Sequence, residues 1–254
     1  MLVSKAIEVS NKIVIKIGTN SLTGKNGLIN HKFMDGVAKT VADLINQNKQ
    51  VVIVSSGAAT AGATSIDKWV RKLDINYKQA LCAIGQVELM NSWRSAFETQ
   101  GLTVGQLLLT KEDFDDPHRS LNIRNTLFTL IDENVVPIVN ENDTVSYEEI
   151  SIGDNDNLSA LTAVLWSAQL LVLLSDIDGV YTDDPKENPA ATRIDTVEDI
   201  TELRKTIRIG DTNKFGTGGI ETKLQAAQTV TRYGVKMILC SSLDGDGSIF
   251  GEVK

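Results

Sequence analysis

Cysteine and histidine are both scarce: two of each in 254 residues. Cys82 and Cys240 sit in the apolar runs A-L-C-A-I and M-I-L-C-S. Such surroundings predict buried free thiols and leave no disulfide framework and no zinc-type spacing. His31 and His118 lie far apart, give no metal pattern, and are read as surface or loop residues. No apolar run approaches the length of a membrane span. The first residues carry Lys5, Glu8 and Lys12 and lack a signal-type stretch, so a reducing cytoplasm is expected. A basic surplus is also missing. Lys plus Arg is 25 against 33 Asp plus Glu, a formal charge of −8, with a sequence pI near 4.9. That balance argues against a nucleic-acid binder, but a phosphorylated small molecule needs only a few local cations and helix starts. Two nucleotide signatures are absent as well. There is no G-x-x-x-x-G-K-[ST], and no G-x-G-x-x-G follows the first apolar run, which sets aside a P-loop protein and an ordinary dehydrogenase.

What the chain does have is alternation, with 42% hydrophobic residues to build a core. Short β-rich runs occur at Lys12–Ile17, Val51–Val54, Thr103–Leu109, Val135–Asn140, Leu170–Ser175 and Val235–Cys240. Several are apolar throughout, as strands covered on both faces are. Between them lie helical stripes: Phe33, Val37, Val41 and Leu44; Ile123, Leu127 and Leu130; Leu158, Leu161 and Leu165; Ile220, Leu224, Ala227 and Val230. Tyr77–Thr99 also reads as one long helix. The alternation predicts an α/β three-layer αβα sandwich with a mainly parallel central sheet, in one domain. The least regular stretch is Asp178–Asp195, and a soft lobe boundary is placed near Trp166.

In such sheets ligands sit beyond the carboxyl ends of the strands, and nearly every strand end here carries Gly, Ser, Asn or Asp. Lys16, between Ile15 and Ile17, must find an anion or else snorkel at a sheet edge. Ser55, Ser56, Gly57 and Ala58 form a turn of small residues, suited to close approach of a ligand or merely to packing. Asn140-Glu141-Asn142-Asp143 either holds a substrate ammonium or makes an Asx turn. G-D-N-D-N-L-S-A at 153–160 gathers Asp154, Asn155 and Asp156 at a helix start, more than a cap alone requires. Gly216, Thr217, Gly218 and Gly219 precede a helix carrying Lys223. The pattern fits a phosphate site, with a glycine hinge as the other reading.

Taken together, K-I-G-T-N-S-L at 16–22, V-S-S-G-A at 54–58, N-E-N-D at 140–143, G-D-N-D-N-L-S-A, S-D-I-D-G-V-Y-T-D-D-P at 175–185 and G-T-G-G-I-E-T-K at 216–223 resemble the amino acid kinase family. They follow its order over almost the whole chain. Within it they are most similar to the members that phosphorylate glutamate on the route to proline. The D-G-V-Y-T-x-D-P element is shared with uridylate kinases, whereas G-D-N-D-N-L-S-A is much more specific. Many such relatives carry an appended C-terminal PUA-type domain of an RNA-binding kind; the chain's end at Lys254 implies that it is lacking here.

The resemblance implies ATP-dependent phosphorylation of the L-glutamate side-chain carboxylate, with Mg²⁺. It makes Lys16 and Lys223 phosphate-stabilising lysines and Asp156 the carboxylate organising them. Ser56, Asp143 and Asn155 match glutamate-binding positions. Lys16, Ser175, Asp176 and the stretch Thr217, Gly218, Gly219, Ile220, Glu221, Thr222 and Lys223 match the ATP site. Residues 1–165 would carry the acid substrate and 166–254 the nucleotide. A dimer or tetramer is implied, with no nucleic-acid or membrane partner. The alternatives are a sibling acting on acetylglutamate, aspartate or uridylate, and a sensor without turnover.

Overall fold

Parity along the strands builds the molecule. In the computed structural model, which describes residues 3–24, 27–67, 74–146, 155–185, 187–206 and 219–251, Ile13, Ile15 and Ile17 enter one apolar core and Val14 the other. The elements run α1 (Val3–Glu8), β1 (Lys12–Ile17), α2 (Thr19–Leu22), α3 (His31–Asn46), β2 (Gln50–Ser55), α4 (Ala58–Ser65), α5 (Ile75–Glu98), β3 (Thr103–Leu109), α6 (Lys111–Asp115) and α7 (Pro117–Asp132). They continue through β4 (Val135–Glu141), α8 (Asn155–Leu165), β5 (Leu170–Leu174), β6 (Val180–Tyr181), β7 (Arg193–Ile194), β8 (Thr196–Val197), α9 (Ile200–Thr206), α10 (Ile220–Arg232), β9 (Lys236–Cys240) and β10 (Gly247–Phe250).

The main sheet has eight strands in the order β3-β4-β2-β1-β5-β9-β10-β8. All pairs from β3 to β9 are parallel; β10 runs antiparallel to β9. Helices α1, α3 and α5 cover one face, and α7, α8, α9 and α10 the other. The three-layer expectation therefore holds. The irregular stretch at 178–195 forms a two-stranded hairpin, β6 with β7. Local chemistry starts several helices: Asn30, Asp74 and Asp116 accept from backbone N–H groups of the first turns of α3, α5 and α7, and Pro117 opens α7.

His31 and His118 are exposed, in keeping with a surface reading, each in the first turn of a helix. One expectation needs correcting. On α8 the buried face is Leu158, Ser159, Ala160, Thr162 and Ala163, whereas Leu161 and Leu165 are only half-buried. Small residues allow α8 to lie close on the sheet, which a leucine stripe would prevent. Of the two readings of Lys16 the buried one holds, because β1 lies inside the sheet between β2 and β5 and offers no edge at which to snorkel.

Helices α4 and α5 meet backbone to backbone. A Cβ on Gly85 would stand 1.8 Å from the Ala58 carbonyl oxygen, and one on Gly62 1.9 Å from that of Leu81. Ala58 opens α4 directly after Ser56 and Gly57, so this contact also fixes the turn at the end of β2. Gly85→Ala is expected to lower stability by about 1–3 kcal/mol through overpacking, seen as an earlier urea midpoint. An unchanged midpoint would show that the contact can relax.

Candidate active site

Lys16 shares the even register of β1 with Val14, so it faces the layer holding α8 and α10. Those two helices bring Asp156 and Lys223 to it. The Lys16 Nζ lies 2.5 Å from Asp156 Oδ1, and the Lys223 Nζ 3.0 Å from Oδ2. Relative exposure is 0% for Asp156, 5% for Lys16 and 6% for Lys223. Burial of lysine is tolerable only beside an anion, and the carboxylate supplies one to both. The Thr222 hydroxyl, 3.2 Å from Asp156 Oδ2 and 2.9 Å from the Gly219 carbonyl, braces the same oxygen. A strand from the start of the chain, a helix from its middle and a helix near its end thus share one carboxylate.

Beside this triad the β2–α4 turn places Ser56. It depends on Gly57, whose φ of +97° lies in the left-handed region. The Asn155 amide nitrogen lies 2.7 Å from the Ser55 carbonyl, 3.1 Å from Ser56 Oγ and 2.7 Å from Asn140 Oδ1. Asn140 in turn donates to Gln86 Oε1 at 2.8 Å, and Trp93 Nε1 donates to Ser55 Oγ at 2.9 Å. Asn155 and Ser56 are therefore brought together as expected, through a network reaching into α5. The sequence reading missed Gln86 and Trp93. Gln86 carried a usable signal, as a polar side chain one helical turn beyond Cys82 in an otherwise apolar stretch.

Asp143 stands apart from that pair, against α5. It shares a cavity wall with the Cys82 thiol. Burial raises the Asp143 pKa above the ordinary aspartate range, against the opposing pull of Cys82 and Lys78. Burial likewise pushes the Cys82 thiol up, with the Asp143 charge adding to it. Cys240 is buried too and is raised to about 12 by desolvation. Asp143, Cys82, Gln86, Asn142 and Thr144 contribute to the wall of a cavity of about 360 Å³.

At the end of β5, Ser175 N–H donates to the Cys240 carbonyl at 2.9 Å, tying the loop to β9. Asp176 accepts from Ser175 Oγ and from Asn20 Nδ2, both at 3.1 Å, which links it to the short helix α2 after β1. Gly219 caps α10, and Ile220 packs on the second core. Glu221 is 2.9 Å from Arg204 on α9, so its side chain is engaged away from the lysines. Thr217 and Gly218, with Gly216, Gly153 and Asp154, fall outside the described residues. Among the described residues no group of three or more His, Cys, Asp or Glu could cage a metal, and no helix is long and apolar enough to cross a membrane.

The glutamate 5-kinase of Alkaliphilus oremlandii (strain OhILAs) is 60% identical over 230 residues, 91% of this chain and 88% of that protein. The glutamate 5-kinase of Alkaliphilus metalliredigens (strain QYMF) is 55% identical, over 94% of this chain and 91% of its own. Among solved structures, carbamate kinase from Giardia lamblia bound to AMP-PNP superposes with a TM-score of 0.65 at 15% identity, covering 95% of this chain and 98% of that one. At that identity the likeness is one of fold. The sequence profile of the amino acid kinase family matches residues 11–241, and with relatives this similar along nearly its whole length the chain belongs to that family.

Proposed function

We propose that this protein is a glutamate 5-kinase, transferring the γ-phosphoryl group of ATP to the side-chain carboxylate of L-glutamate. The products are L-glutamyl 5-phosphate and ADP, and the step opens proline biosynthesis in the cytoplasm. The observation that carries the reading is the single buried carboxylate holding Lys16 and Lys223 side by side. The acceptor has a solution pKa of about 4.3 and is ionised near neutrality. No general base is needed, and the positions of His31 and His118, on the surface at two helix starts, agree with that. The barrier lies in bringing one anion toward another, so positioning and charge stabilisation must lower it. Lys16 steadies the moving phosphoryl group from the acceptor side and Lys223 from the nucleotide side. Asp156 fixes where both ammonium groups stand and takes no proton.

The acid sits on the side of residues 1–165, its ammonium on Asp143 and its α-carboxylate near Ser56. Asn155 holds the Ser56 hydroxyl in place rather than offering its own amide. The nucleotide sits on the side of residues 166–254, over Ser175, Asp176 and the start of α10. Both Asp156 oxygens already face lysines, and there is no dedicated acidic cage among the described residues. Mg²⁺ carried on the nucleotide fits this donor set, since there it keeps most of its waters and needs few protein ligands. Bound with the nucleotide, it would supply positive charge against the phosphates.

The test is an assay with ATP, Mg²⁺ and a panel of acids, trapping acyl phosphate with hydroxylamine. Hydroxamate from glutamate alone is the expected result. Signal only from aspartate or acetylglutamate would move the protein to a sibling activity, and nucleotide binding with no product would make it a sensor.

Asp143→Asn separates binding from stability. Loss of a charge-assisted bond to the substrate ammonium costs about 1.5–3 kcal/mol, roughly a 10- to 150-fold rise in the glutamate KM. Stability should move the other way. A carboxyl group whose folded pKa is raised contributes most when protonated, and that contribution is lost as the pH rises through the folded value. At neutral pH the variant should therefore unfold at higher urea than the wild type, and the two should converge as the pH falls through the aspartate range. A variant that loses stability at neutral pH would contradict this.

A further inference from the structure

The hairpin that follows Ser175 and Asp176 is bolted to β10, the strand that runs antiparallel to β9. The Ser248 hydroxyl on β10 accepts from Val180 N–H at 2.8 Å and donates to the Ile194 carbonyl at 2.6 Å. The Ile249 N–H donates to the Asp195 carbonyl at 2.9 Å. Gly179 is wedged in between: a Cβ there would lie 2.5 Å from Ser248 Oγ and 2.7 Å from Arg193 Cδ. Arg193 closes the arrangement. Its Nη1 lies 3.3 Å from Asp178 Oδ2, its Nε 3.1 Å from Asp195 Oδ1, and its Nη2 3.8 Å from Asp246 Oδ2. The other Asp178 oxygen accepts from the Tyr181 hydroxyl at 2.8 Å. Asp178 is thereby held from both sides, two residues after Asp176.

We infer that Arg193 is a positioning residue for the nucleotide, acting through Asp178 on the loop at 175–178. The inference rests on the kinase reading given above, which sets the nucleotide over Ser175 and Asp176. The loop is anchored at Ser175 by the Cys240 carbonyl and at Val180 by Ser248, and Arg193 fixes the turn between them. The guanidinium also has an electrostatic duty. Without it Asp178, Asp195 and Asp246 would face one another beside a loop that must receive a polyphosphate. The fork suits the task, because three carboxylates in different directions need donors in a fixed plane, which a lysine lacks.

Initial-rate kinetics on Arg193→Met, Asp178→Asn and the double variant test this, with ATP and glutamate varied separately. Each single change should raise the KM for ATP about three- to fivefold, with kcat and the glutamate KM within about twofold of wild type. The double variant should be no worse than the worse single one, because both changes break the same Arg193–Asp178 pair. Arg193→Lys should recover part of the loss. The inference is overturned if the ATP KM stays within about twofold of wild type, if the two penalties multiply in the double variant, or if kcat and both KM values shift alike. Should Arg193→Met not fold, Asp178→Asn carries the same comparison. Should the wild type make no glutamyl phosphate, the kinase reading fails by itself, and calorimetric ATP affinities of the same variants still decide the role of Arg193.

Discussion

Asp156→Ala is expected to abolish turnover and to destabilise the fold together. Asp156 is sealed from solvent, and Lys16 and Lys223, both nearly so, stand on its two oxygens. Removing it leaves two buried ammonium groups facing one another, and breaking a buried pair in this way costs about 3–5 kcal/mol. The lysines would then swing toward water or take the neutral form, and neither state places a charge where the phosphoryl group travels. A loss of roughly 10³-fold or more in kcat follows, since misplacing even one stabilising donor costs about 10²–10³. Urea unfolding and product formation measure the two effects separately. Asp156→Asn keeps the shape while removing the charge, so it should fold better than the alanine variant and turn over no faster. Wild-type stability in Asp156→Ala would mean that the lysines have another anchor.

Lys16→Gln and Lys223→Gln should behave differently from Asp156→Ala and like each other. In each the remaining lysine still pairs with Asp156, so the fold should persist and the damage should fall on the chemical step. A drop of about 10²–10³ in kcat is expected for either, with smaller changes in the KM values. The double substitution should cost less than the sum of the two in free energy, because both act on one transferring group through one carboxylate. Folded single variants working at wild-type speed would remove the basis for the proposed mechanism.

Much of this was readable from residues alone, for a physical reason. The strand Lys12–Ile17 coincides with its expected bounds, because a run apolar on both faces has no other comfortable place, and the half-exposed edge strand Thr103–Leu109 does so as well. Lys16 announced itself as a charge inside such a run, and its need for an anion is met by Asp156. The closing strand Gly247–Phe250 carries no such signal, since four residues between Asp246 and Gly251 look like a turn until β9 offers a strand to pair with. The same holds for the hairpin at 180–194, whose aspartates and prolines read as loop. Tertiary contacts decided the rest. No local pattern signals that Gly62 and Gly85 must let two helices touch, and the polar Gln86 in an apolar stretch does not name Asn140 as its partner. Nor does an apolar context around Cys82 reveal that it shares a cavity wall with Asp143.

The meeting of Lys16 and Lys223 on one acid also bears on biogenesis. While the polypeptide emerges from the ribosome, the first strands and α8 can pack long before α10 has been made. Until α10 arrives, Asp156 has a single lysine beside it and the proposed phosphate cradle is half built. Catalytic competence would therefore appear late and abruptly during synthesis, making enzyme activity a sensor of the last folding event rather than of partial order.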